Sequence, residues 1–62
     1  MFVARDSEGV SNPWLMFYSG KWVWGPKRDM AHKFATEEGA LQTGMAAMPS
    51  LVMADRVIVE PA

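Results

Sequence analysis

The chain has 62 residues, of which 50 % are hydrophobic and 11 % aromatic, with no cysteine and a formal net charge of -1. The length allows a single domain, residues 1–62, and the apolar content excludes a disordered chain. The near-zero charge argues against strong nonspecific attraction to nucleic acid or membranes, and without disulfides a core this small must be reinforced by oligomerisation or by a bound partner.

The first ten residues open with the apolar run MFVAR, which predicts an outer strand and ends at a turn-forming segment. Asp6 and Glu8 follow at once, so the run is too short for a signal peptide, and no stretch of the chain reaches about 18 apolar residues. We therefore expect a soluble, cytoplasmic protein that does not bind a membrane.

Two apolar segments, Trp14–Tyr18 and Lys21–Trp24, flank the pair Ser19-Gly20 and predict a β-hairpin. Aromatic and β-branched residues suit a pleated surface, and Gly20 can take a positive φ. A Gly-Pro pair then ends the third strand.

The register of this hairpin decides which side chains share a face. A two-residue turn at Ser19-Gly20 groups Leu15, Phe17, Trp22 and Trp24. A three-residue loop with Gly20 in the left-handed conformation groups Trp14, Met16, Trp22 and Trp24. Because Ser-Gly is not the Asn-Gly of a strong two-residue turn, the sequence leaves both registers open.

Two starting points compete for the helix. Asp29 could cap one long helix, whereas Thr36, followed by Glu37 and Glu38, places an N-cap and two acids at the positive end of the helix dipole. We favour the start at Thr36, with residues 31–34 as a short strand or turn.

The helix of residues 37–48 carries a stripe of small side chains that allows its backbone to approach the sheet closely. The stripe comprises Ala40, Gly44 and Ala47. Pro49 ends the helix, and residues 55–60 predict a last strand with Val57 and Val59 facing inward.

These elements predict an α+β domain of order β-β-β-α-β, with a small antiparallel sheet and one helix on one face. A right-handed crossover through the helix predicts that the last strand lies parallel to the first or the third.

No group of residues predicts catalysis, so we expect no enzyme, no metal site and no cofactor. His32 is the only histidine, and the four serines lie in turn contexts. Gly39 and Gly44 have the spacing of a phosphate loop, but the Lys and Ser/Thr of that motif are missing. Asp6 and Glu8 are more typical of a turn than of a calcium site.

The aromatic residues and their basic neighbours predict a binding surface. One short helix covers only one face of the sheet, and unless loops fold over the other face, its apolar side chains mark an interface. Four of the six basic residues lie between positions 21 and 33, namely Lys21, Lys27, Arg28 and Lys33. The predicted binding residues are Trp14, Tyr18, Trp22, Trp24, Lys27 and Arg28.

Residues 22–41 and the closing strand DRVIVE resemble small uncharacterised proteins that bacteriophages and prophages encode. Many of those proteins have a hairpin, a helix start of the type A-x-x-F-x-T/S-x-E-E-A and one more strand. The matching positions here are Ala31, Phe34, Thr36, Glu37 and Glu38, whereas Gly39 departs from the pattern. The resemblance covers about half the chain, and it implies a viral protein that inhibits one host protein.

We therefore expect a noncatalytic module that binds a host protein, such as a defence complex or the transcription machinery, in the host cytoplasm. Self-association into a homodimer through the aromatic sheet face is a further expectation. The alternative is a single-stranded nucleic-acid-binding protein that stacks bases on Trp22 or Trp24 and holds phosphates with Lys27 and Arg28.

Overall fold

A four-stranded antiparallel sheet and one α-helix form the protein in the computed structural model, which describes residues 1–62. The elements are β1 (Phe2–Asp6), β2 (Trp14–Tyr18), β3 (Lys21–Gly25), α1 (Glu37–Ala47) and β4 (Val57–Pro61). The strand order across the sheet is β3-β2-β1-β4. Single 3-10 turns occupy Arg28–Met30 and Met53–Arg56. The predicted α+β fold is confirmed, and no helix has the length and hydropathy needed to span a membrane.

The hairpin adopts the two-residue turn of the two alternatives. Tyr18 pairs with Lys21, and both turn residues have positive φ, 53° at Ser19 and 80° at Gly20. Positive φ at both central residues fits a type I′ turn, whose twist matches that of the two strands. The register therefore places four large residues on one face: Leu15, Phe17, Trp22 and Trp24.

Helix α1 begins where its capping residues predict. The Thr36 hydroxyl accepts a hydrogen bond from the Gly39 N–H at 3.0 Å, and Glu37 and Glu38 occupy the first turn. The cap satisfies one of the N–H groups that have no partner inside the helix, and the two carboxylates complement the helix dipole.

The small stripe of α1 faces the sheet over β1 and β4. Ala40 and Gly44 are buried, and a Cβ added at Gly44 would lie 2.8 Å from Val57 Cγ1 and 3.4 Å from Ala4 Cβ. The core comprises Ala4, Leu15, Ala40, Met48 and Val57. Val57 and Val59 both face this core, as predicted.

Residues 31–34 lie between β1 and β2. The His32 N–H donates to Leu15 O at 2.9 Å, while Phe34 and Phe2 exchange backbone hydrogen bonds of 2.7 and 2.8 Å. Direct pairing of the two strands is reduced to the register pair Arg5 and Trp14. Residues 31–34, predicted as a short strand or turn, thus connect β1 and β2 through backbone hydrogen bonds to both strands.

The expectation that the last strand runs parallel to the first or third is wrong. β4 is antiparallel to β1, with Asp6 opposite Val57 and Phe2 opposite Pro61. β3 ends at Gly25, at the Asp6 end of the sheet, and residues 31–34 return the chain to the Phe2 end before α1 starts. The helix carries the chain across the sheet again, so β4 runs opposite to β3 and the parallel crossover rule does not apply.

Candidate functional site

Four aromatic rings meet at the turn end of the hairpin, and we call them the aromatic cluster: Phe17, Trp22, His32 and Phe34. Trp22 is at the centre, with its ring centroid 4.9 Å from Phe17, 5.0 Å from His32 and 5.5 Å from Phe34. The contacts with Phe17 and His32 are edge-on and the contact with Phe34 is stacked. Both arrangements are favourable for aromatic rings, so the cluster is held by its own contacts.

The cluster forms because the hairpin and residues 31–34 present their side chains on the same face. Phe17 and Trp22 are directly opposite each other in the ladder, and the hydrogen bond from His32 to Leu15 fixes the neighbouring segment against β2. Alternate residues of an extended segment point the same way, which brings His32 and Phe34 together.

A large part of this cluster is exposed. Phe17 is 53 % exposed and Trp22 36 %, and the neighbouring Tyr18, on the other face of the strand, is 64 % exposed. Large aromatic residues are enriched where proteins bind each other, and a contiguous exposed group is more informative than scattered apolar residues.

An open groove of about 580 Å³ adjoins the cluster on the helix side. Its walls are Trp22 of β3 and the α1 residues Gln42, Thr43, Ala46 and Ala47. Because α1 packs mainly over β1 and β4, it leaves the helix-side face of β3 open at Trp22. The groove therefore combines one aromatic wall with small and polar helix side chains.

Trp24, on the same face, belongs to the core rather than to the exposed cluster. Its indole N–H donates to the Ala47 carbonyl at 3.4 Å, and its half-buried ring packs against the core residues. This tryptophan joins the hairpin to the end of α1.

The opposite face of the sheet is covered at its centre by the segment that follows β3. The Arg28 guanidinium lies 5.2 Å from the centre of the Trp14 ring, donates to Pro61 O at 2.6 Å and lies 3.4 Å from Glu60. Glu60 also pairs with Arg5 at 3.2 Å. Of the two alternatives that the sequence left open for this face, a loop that folds over it holds at this position, because Arg28 covers Trp14 where the helix does not.

A smaller pocket of about 290 Å³ lies beside Arg28 on this face of the sheet. It is lined by Val3, Arg28, Asp29, Lys33 and Ala62.

The six predicted binding residues are divided between the two faces. Trp22 and Trp24 lie on the helix side, and Trp14 and Tyr18 lie on the other side with Arg28 folded over Trp14. Lys27 is exposed and forms no ion pair. Arg28 Nη2 contacts Pro61 and Glu60 within the chain, and the Arg28 side chain is 43 % exposed.

Sequence reasoning missed the contribution of His32 and Phe34 to the exposed cluster. The available signal was their i, i+2 spacing in a short extended segment, which places both rings on one side. That signal could not be used without knowing which strand lies beside the segment.

The buried Asp6 and the half-buried Arg56 form an ion pair at the other end of the sheet. Arg56 Nε and Nη2 donate to the two Asp6 carboxylate oxygens at 2.9 and 2.8 Å, and the Glu8 N–H donates to Asp6 Oδ1 at 3.0 Å. Burial by itself raises the pKa of Asp6, but the hydrogen bond from Arg56 and the backbone donors outweigh it and lower the pKa below its ordinary value. The hydrogen bond to Asp6 in turn raises the pKa of Arg56.

Asp6 and Glu8 thus belong to a hydrogen-bonded turn, as the sequence predicted. The structure contains no group of three or more His, Asp or Glu residues that could hold a metal ion.

Comparison of the chain with protein-family models, with curated proteins and with solved structures found no match.

Proposed function

We propose that the protein is a noncatalytic protein-binding module whose contact surface is the aromatic cluster. The observation that carries the proposal is the packing of four aromatic rings into one group that leaves Phe17 and Trp22 substantially exposed. Preorganised rings lose little conformational entropy on binding, which favours affinity.

The partner that we propose is a host protein, with this chain acting as a phage-type inhibitor of a defence complex or of the transcription machinery. The resemblance of residues 22–41 to small phage proteins supports this partner class. The physical support is a rigid aromatic surface adjoining a groove with the polar side chains of Gln42 and Thr43, a combination of apolar centre and polar rim that is typical of protein interfaces.

The proposal is tested by capturing host proteins from a bacterial lysate on the wild-type chain and on Phe17→Ala and Trp22→Ala variants. The captured protein is identified by mass spectrometry, purified, and titrated against each variant. We expect each substitution to weaken the affinity at least about tenfold, as truncation of a central aromatic residue does at interfaces.

Val10→Ala and Leu51→Ala are matched controls, because these side chains are 96 % and 91 % exposed and lie outside the aromatic cluster. They should bind the partner like the wild type. Equal affinities for the cluster variants and the wild type, measured on folded proteins, would contradict the proposal.

Single-stranded nucleic-acid binding is the second candidate function. Exposed rings beside Lys21 favour it, since bases stack on aromatic side chains, but Nη2 of Arg28, one of the two predicted phosphate ligands, already contacts Pro61 and Glu60 within the chain. Titration with oligonucleotides at low salt, where such binding is strongest, decides the matter. We expect no saturable binding there.

A further inference from the structure

β3 is an edge strand of the sheet, so one side of its backbone has no neighbouring strand. In a two-residue hairpin the residues that flank the turn form a hydrogen-bonded pair, and such pairs then alternate along the ladder. Lys21, Val23 and Gly25 consequently direct their N–H and C=O groups toward β2. The groups of Trp22 and Trp24 point to the free edge.

The free edge of β3 lacks the features that protect edge strands from pairing. Between Lys21 and Gly25 there is no proline, no bulge and no charge other than the lysine beside the turn. The edge strand on the other side, β4, contains Glu60 and ends with Pro61, and both residues discourage pairing. An unprotected edge is a template for another strand.

We propose that β3 pairs antiparallel with β3 of a second copy of this chain, which joins the two sheets into one continuous sheet. The pairing centres on Val23, so that Val23 faces Val23 and Trp22 faces Trp24 of the other copy. In this register the outward N–H and C=O groups of both tryptophans find partners across the interface.

The side chains of β3 make this register self-complementary. Trp22 and Trp24 lie on the helix-side face. The register therefore forms two cross-strand aromatic pairs, and in each pair Trp22 of one copy lies opposite Trp24 of the other. Aromatic pairs of this kind are among the favourable pairs in sheets. Lys21 faces Gly25 of the other copy, and the two lysines stay apart. α1 packs over β1 and β4, so the groove beside Trp22 stays open. This open space leaves room for the second copy.

The need for reinforcement favours a second copy over an extended peptide of another protein. The chain has no disulfide, and its buried apolar core is small, which favours association as a source of stability in a domain of this size. The same strand supplies both halves of the pairing. This inference does not rest on the proposed host partner. Trp22 belongs to both proposed contacts, whereas Phe17, on the neighbouring strand, belongs only to the contact with the host protein.

The test uses opposite charges placed at the two-fold centre. Val23 is half-buried on the face away from the helix, so Val23→Glu and Val23→Lys place like charges directly opposite each other in each homodimer. Sedimentation equilibrium should show a wild-type dimer and, for each variant alone, dimerisation weakened about fivefold or more. An equimolar mixture of the two variants should recover a dimer containing one of each.

A wild-type chain that stays monomeric from micromolar to millimolar concentration would overturn the proposal. So would a dimer that both variants retain unchanged, because it must use another surface. Folding of the variants is checked by circular dichroism, and a synthetic chain with an N-methyl group on the Trp22 amide provides a variant that keeps every side chain. That chain should be monomeric, whereas Val10→Ala, whose side chain is 96 % exposed and lies outside the aromatic cluster, should dimerise like the wild type.

Discussion

At the scale of single residues, the Asp6–Arg56 pair links the two ends of the sequence. Asp6 lies at the end of β1 and Arg56 directly before β4, and the two-pronged hydrogen bond fixes where β4 begins. A carboxylate that accepts several hydrogen bonds and is paired with an arginine favours its charged form, which is why its pKa is lowered.

Replacement of Asp6 by Asn should lower the melting temperature at neutral pH by several degrees. The lowered pKa of Asp6 means that its stabilisation is present above the ordinary carboxyl pKa of 3.8 and is lost as the pH falls through the lower pKa of the folded protein. The difference between wild type and Asp6→Asn, measured by thermal melts, should therefore shrink at acid pH.

Asp55→Asn is the control for this experiment, because it removes the same charge from an exposed carboxylate that forms no ion pair. Its melting curve should follow the wild type across the same pH range. A constant difference between Asp6→Asn and wild type down to acid pH would show that the charge of Asp6 is not what stabilises the fold.

Ser19 is a second residue with a local consequence, because it holds a φ of 53° without being glycine. The left-handed conformation is unfavourable for most side chains, and Asn tolerates it better than Ser. Ser19→Asn should raise the free energy of unfolding by about 0.5–1 kcal/mol, measured by urea denaturation. Ser50→Asn, outside the hairpin, should give no such gain.

At the scale of elements, the contact between α1 and the sheet depends on the absence of a side chain at Gly44. A methyl group there would lie 2.8 Å from Val57 Cγ1, closer than unstrained carbon atoms approach, and neither neighbour is at the free end of a long side chain. The small stripe read from the sequence thus sets the distance between the two layers.

Gly44→Ala should destabilise the protein by about 1–2 kcal/mol, even though alanine is the better helix former by about 1 kcal/mol. Chemical denaturation measures the change. In a Val57→Ala background the methyl group has space, so the same substitution should become neutral or stabilising. An additive result in the double variant would mean that the contact with Val57 is not the cause.

The elements themselves were largely predictable, because local signals determine them. Thr36 with two following acids marked the helix start, and the alternation around Ser19-Gly20 marked the hairpin. The direction of β4 was not predictable, since it depends on residues 31–34 crossing back between two strands. That segment has no strong periodicity, and its position is decided by tertiary hydrogen bonds to Leu15 and Phe2.

The candidate site was predictable only in part for the same reason. Of the predicted binding residues only Trp22 belongs to the aromatic cluster, because the exposure of a tryptophan depends on the hairpin register and on what the loops cover. Trp24 is held by Ala47, and Trp14 lies under Arg28, which follows from long-range contacts that no local pattern encodes.

At the scale of the whole molecule, a chain with so small a core should gain stability from the proposed pairing of two copies. Association stabilises the folded state by mass action, so the melting temperature should rise by several degrees over a concentration range of about a hundredfold around the dissociation constant. Differential scanning calorimetry at several concentrations measures this rise.

The Val23→Glu variant should show a smaller rise over that range, because it dimerises more weakly. A wild-type melting temperature that is independent of concentration while the protein is dimeric in solution would contradict the assumed coupling between folding and association.

Because residues 31–34 lie between β1 and β2 and reduce their direct pairing, we expect the two parts of the sheet on either side of this wedge to open separately. One part is the hairpin, and the other comprises β1, β4 and α1, which share the buried contact around Ala4 and Val57. Local opening follows such boundaries, so amide hydrogens of the hairpin should exchange with solvent faster than those of β1. The aromatic cluster lies across this boundary, with two rings on the hairpin and two on the wedge, so a ligand bound to it should slow exchange in both parts together.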